Sequence, residues 1–181
     1  MSTWAARYVR LGDRAADLER LRSRVDAGAT LVDGGSSPFA VWLVPSHKFE
    51  PDDLGALSRD FGEALSIAVQ TVADLVIYDH FVAGARRRGL TYAGEAGWVR
   101  VFGEPEPWEA PALFSAAKLE ELSIELEDEV TADALAREKG ELERLWQLGR
   151  LVEGNTRPPT EPAALVRALE KHFKLPARPG A

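Results

Sequence analysis

"SIAVQTVADLVIYDHFVAGARRRGLTYAGEAGWVRVF", residues 66–102, decides the fold. β-branched and aromatic residues dominate it, and glycines at 84, 94 and 97 break it into short runs. That pattern predicts four strands, at about 66–70, 74–83, 87–93 and 97–102. Their connections are only a few residues long, whereas parallel neighbours need a crossover of a dozen or more. The four strands are therefore expected to form an antiparallel meander.

Outward from the meander, "TWAARYVRL" (3–11) reads as a first strand and "FAVWLV" (39–44) as a short buried one. Asp13 is placed to cap a helix over 14–26, where Leu18, Leu21 and Val25 form an apolar stripe. Leu54, Leu57, Phe61 and Leu65 stripe a second helix that opens at Pro51. "GEPEPWEAPALF" (103–114) reads as an extended connector, because three prolines lack a ladder donor. Helices follow at about 114–129, 131–152 and 162–173. The fold class expected is α+β: a mostly antiparallel sheet of five to six strands, helices packed on one face, and a C-terminal helical segment. Residues 1–109 form the α+β core, 110–175 the helices packed on it within the same domain, and 176–181 a loose tail.

Composition narrows the function classes. With 181 residues, 45% hydrophobic and 28% charged, the chain is globular rather than disordered. No apolar run approaches the length of a membrane span, and the N-terminus lacks the apolar h-region of a cleaved signal. A cytoplasmic address is expected, with no membrane partner. There is no cysteine, which removes disulfides, thiol nucleophiles and thiolate metal sites. The three histidines, His47, His80 and His172, sit in different elements without metal-ligand spacing, so neither metal nor cofactor is expected. No phosphate-cradling glycine loop or nucleophile elbow occurs, and the expectation is a protein that is not an enzyme.

Asp79 and His80 interrupt the apolar run 74–83. Neighbours on a strand point to opposite faces, so these two cannot act as a pair. A buried Asp79 needs a cation, and the arginines at 86–88 across the hairpin are placed to supply it. The Arg86–Arg88 trio itself is too short for a nucleic-acid footprint.

Charge is unevenly distributed. Residues 119–143 hold ten acids against Arg137 and Lys139, a net −8, while the rest carries +1 of the chain's −7. The first 24 residues hold six arginines against three acids. Nucleic acid is a poor partner for such a chain, and a basic protein is a suitable one. The candidate partner-binding residues are Glu120, Glu121, Glu125, Asp128, Glu129 and Asp133, with Glu121, Glu125 and Asp128 on one stripe without an interleaved lysine. The function expected is a non-catalytic binding protein, in its sharpest form an immunity or antitoxin-like inhibitor that covers a basic toxin such as a nuclease. The alternative is a small-ligand or regulatory domain with a pocket lined by Tyr78, His80, Tyr92 and Trp98.

The block "YDHF…G…RGLTYAG…WVRVFGEPEPWE", from Tyr78 to Glu109, resembles small bacterial α+β proteins of unknown function. The resemblance implies one α+β domain and carries no catalytic residues over to this chain.

Overall fold

The computed structural model describes residues 3–25, 28–45, 52–129, 131–156 and 161–180. His47, in the stretch 46–51, lies outside them.

The meander is where the sequence placed it. Strands β4 (Glu63–Gln70), β5 (Leu75–Val82), β6 (Ala85–Ala93) and β7 (Gly97–Phe102) pair consecutively and antiparallel. Ala83 and Gly84 join β5 to β6 with φ of 50° and 86°, the two positive values of a tight hairpin loop that matches strand twist. On the other side of β4 lie β1 (Thr3–Arg10), β3 (Phe39–Leu43) and the three-residue β2 (Leu31–Asp33). The sheet runs β2-β3-β1-β4-β5-β6-β7, antiparallel throughout. It has seven strands rather than five to six. The extra one is β2, too short to show a period of its own.

Helices cover both faces, not one. Helices α1 (Arg14–Arg22) and α2 (Asp52–Phe61) pack Leu21, Leu54 and Leu57 on Ala5, Val9, Ala40, Trp42, Ala64 and Ala68. Asp13 caps α1 by accepting from the Ala16 N–H at 3.3 Å. The opposite face carries Ala6, Tyr8, Val41, Leu65, Ile67, Tyr78 and Leu90. Helix α6 (Pro162–Phe173) closes it with Leu165, Val166, Leu169 and Phe173, each such burial contributing about 1.5–3 kcal/mol. β3 is almost wholly buried because both of its sides are covered, so it shows no polar alternation.

After β7 the chain forms a short helix α3 (Glu109–Leu113) where an extended connector was expected. Pro111 falls in its first turn, where a missing N–H costs nothing. Helices α4 (Ala116–Glu129) and α5 (Ala132–Leu148) make a hairpin with its own apolar cluster of Leu122, Leu126 and Leu142, flanked by Leu119, Leu135 and Trp146. Trp146 meets Phe114 edge-on at 5.4 Å, and Phe114 packs on the main core. The stretch 176–180, expected as a loose tail, folds back: Pro176 is buried and Arg178 lies over the Trp4 ring.

Candidate functional site

Three groups of charged side chains compete as sites, and their pairing separates them.

The first surrounds His80. β5 turns His80 and Tyr78 to the face covered by α6, and the connector after β7 brings Glu106 onto the same face. His80 Nδ1 meets Glu106 and Nε2 meets Glu63 at 3.1 Å. Glu106 also accepts from the Tyr78 hydroxyl at 2.7 Å and the Trp108 indole at 2.8 Å. Glu63 accepts from Arg10 as well. The Glu106 backbone N–H donates to Glu109 at 2.9 Å, and Glu109 takes two bonds from Arg88. The row Arg10–Glu63–His80–Glu106 thus continues into Glu109–Arg88, with three cations against three carboxylates. Burial pulls the His80 pKa down, but bonds and charges from Glu106 and Glu63 outweigh it and raise it to about 9. Burial lifts both glutamates, and the bonds from His80 with those from Arg10 and Tyr78 reverse this, leaving them below the ordinary value. At neutral pH the imidazole is a cation with both nitrogens engaged. A general base needs a pKa near the working pH and a free nitrogen, and His80 has neither.

Asp79 occupies the opposite face. It is 2% exposed and takes bonds from Arg86, across the hairpin, and from Arg100 on β7 at 3.1 Å. Gly89 pairs with Asp79 across the ladder. A Cβ at Gly89 would stand 2.7 Å from Arg86 Nε, so the missing side chain is what lets Arg86 reach the carboxylate. Arg86 was within reach of sequence reasoning from hairpin register; Arg100 was not. This is a structural ion pair with two partners.

The four residues expected to line a ligand pocket are core instead. Tyr78 and Trp98 are fully buried, and Tyr92 and His80 nearly so. Tyr78 packs on Trp108 at 5.9 Å, Tyr92 on Trp98 at 5.2 Å, and His80 on Phe173 at 5.2 Å. Of the four, Tyr92 borders a surface cavity described below.

The acidic helices differ from both clusters. Every arginine of the first 24 residues meets a carboxylate: Arg7 Asp53, Arg10 Glu63, Arg14 Asp33, Arg20 Asp17, Arg22 Glu19 and Arg24 Asp60. On α4 and α5, Glu120, Glu125, Asp133, Glu141 and Glu143 form no ion pair among the described residues. Glu121 pairs at 2.9 Å with Lys118, which precedes the stripe by one turn, so that carboxylate has a cation on its own helix. Glu120, Glu121, Glu125 and Asp133 are exposed. The side chains of Asp128 and Glu129 lie outside the described residues. Among these acids sits Ile124, 59% exposed, one turn from Glu120 and Glu121 and beside Glu125.

Beneath this face, a cavity of about 240 Å³ opens between α4, the start of α6 and the β4–β5 connection. Glu121, Glu125, Glu161 and Asp74 line it with Lys118 and Tyr92. An adjoining cavity of about 390 Å³ shares Lys118, Glu121 and Glu161 and ends at Arg167. Glu161 and Asp74 come from distant segments, so no local pattern marked them.

No protein-family model, curated protein or solved structure matches the chain. Among the described residues no helix is long and apolar enough to cross a membrane, and no group of three or more His, Asp or Glu side chains is arranged to hold a metal ion.

Proposed function

We propose that the chain is a non-catalytic, cytoplasmic binding protein whose acidic α4–α5 face docks a basic protein, in the manner of an immunity or antitoxin-like inhibitor covering a toxin. One observation carries this reading. The chain neutralises its N-terminal arginines one by one, yet among the described residues Glu120, Glu125, Asp133, Glu141 and Glu143 on α4 and α5 meet no cation. Like charges at helical spacing cost about 0.2–0.5 kcal/mol per pair, a cost that a cationic partner would reverse. Ile124 supplies an apolar contact within the acid ring, the arrangement in which a desolvated anchor gives affinity while rim charges steer approach. An enzymatic reading has less support, since His80 and Asp79 are each held between opposite charges. The small-ligand reading at Tyr78, His80, Tyr92 and Trp98 also loses support, because packed aromatic rings occupy that space.

The test compares the wild-type chain with the triple reversal E120K/E121K/E125K as immobilised bait for lysate of the native cell. A basic protein retained by the first and lost by the second, then shown to bind when purified, supports the reading. The same basic proteins on both baits would refute it.

A further inference from the structure

On the side of the sheet covered by α6, Trp4 and Val69 stand opposite each other in the β1–β4 ladder. With Val166, Arg167, Glu170 and Arg178 they line a cavity of about 210 Å³. That is below the range of about 300–1,000 Å³ for drug-sized ligands, so the occupant is small. Its lining carries both signs of charge. Arg167, Glu170 and Arg178 form no ion pair with one another or with any other described residue. Arg178 is held instead by its planar face, 4.1 Å above the Trp4 ring, which leaves its N–H edges free to donate.

A second observation points to the same place. The Tyr8 hydroxyl is fully buried and has no hydrogen-bond partner among the described residues. Burial first, and then the Glu170 charge, push its phenol above the ordinary range, with Arg178 acting in the other direction. Both charges that act on this hydroxyl belong to side chains that line the cavity, although Tyr8 itself is not part of the lining.

We infer that this cavity binds a small zwitterion of amino-acid size. Arg178 and Arg167 would take the carboxylate. Glu170 would take the ammonium group. Val69 and Val166 would contact a short aliphatic side chain. A dicarboxylate would meet Glu170 as a like charge, and a simple amine would leave both arginines unused. The inference does not depend on the acidic α4–α5 face, and reversal of that face leaves the titration below unchanged.

The test is a calorimetric titration of the full chain with each of the twenty amino acids at millimolar concentration, alongside the matching 2-oxo acids and amines. An aliphatic amino acid is expected to saturate one site, with both single-charge analogues about ten-fold weaker, the loss of one charged hydrogen bond. Arg178→Gln removes one of the two lining cations, so it should bind about ten-fold more weakly while the unliganded variant stays folded. Glu170→Gln, a partly exposed change that keeps the shape, should weaken binding likewise. Absence of heat with every amino acid overturns the inference. So does equal binding of the 2-oxo acid, or affinity unchanged in both variants.

Discussion

Arg88 donates to Glu109 through Nε at 2.7 Å and Nη2 at 2.6 Å, and both side chains are buried, at 1% and 2% exposure. The same guanidinium donates Nη1 to the Phe102 and Gly103 carbonyls at 3.1 and 2.5 Å. One side chain of β6 thereby fixes the end of β7 and the helix that follows it. Removing it leaves a carboxylate with no route to water. Arg88→Met is expected to destabilise the chain by about 3–5 kcal/mol, whereas the paired change Arg88→Met with Glu109→Leu recovers much of that loss. Urea unfolding of the two variants checks this. Equal midpoints would mean that the pair is not coupled.

Asp79 gives a different expectation, because its two cations share the work. Arg86 and Arg100 are 24% and 30% exposed and can rehydrate, while the carboxylate cannot. Each single Arg→Met change should cost about 1 kcal/mol. The double change should cost about 3–5 kcal/mol, well beyond the sum, because only then is the buried charge left alone. Additive losses in a denaturation cycle would contradict the shared-partner arrangement.

The pH dependence follows from His80. Its folded pKa is raised to about 9 from an ordinary 6.5, so its stabilising contribution is complete below about pH 6.5 and disappears as pH rises through 9. The shift corresponds to a loss of up to about 3 kcal/mol over that window. Glu63 and Glu106 are lowered, so their contribution is present above about 4.5 and fades in more acidic solution. Stability should be flat from about pH 5 to 6.5 and fall toward pH 9. His80→Phe should flatten the alkaline limb; a limb that persists in this variant would place its origin elsewhere.

Much of the sheet was legible because it obeys local rules. Glycines at 84, 94 and 97 mark the turns of the meander, and α6 ends where its apolar stripe ends, at Phe173. β2 was not legible: three residues beside "DGGSSP" show no period, and only pairing with β3 makes them a strand. α3 was hidden because proline density reads as extended chain, although proline in a first helical turn is harmless. For the sites, Arg86 could be placed beside Asp79 from hairpin register. The partners of His80 could not. Glu63 and Glu106 lie 17 and 26 residues away, and their meeting depends on sheet order and on the path after β7. Acid enrichment on α4 and α5 was plain in the sequence; that no N-terminal arginine neutralises it became visible only when those arginines were seen to be taken.

Ile124 tests the docking face without touching charge. Ile124→Ser removes an exposed side chain, so its stability should stay within about 0.5 kcal/mol of wild type. Affinity for the basic partner should fall about ten-fold or more, as for an anchor at the centre of an interface. Unchanged affinity would move the contact away from this helix.

The most direct measurement is the dissociation constant of the captured basic protein for the wild-type chain and for E120K/E121K/E125K, each at about 50 and 200 mM salt. Reversal is expected to weaken binding by about 100-fold or more, and wild-type affinity is expected to fall as salt rises. Equal constants for the two chains, unmoved by salt, would contradict a function built on the unpaired carboxylates of α4 and α5.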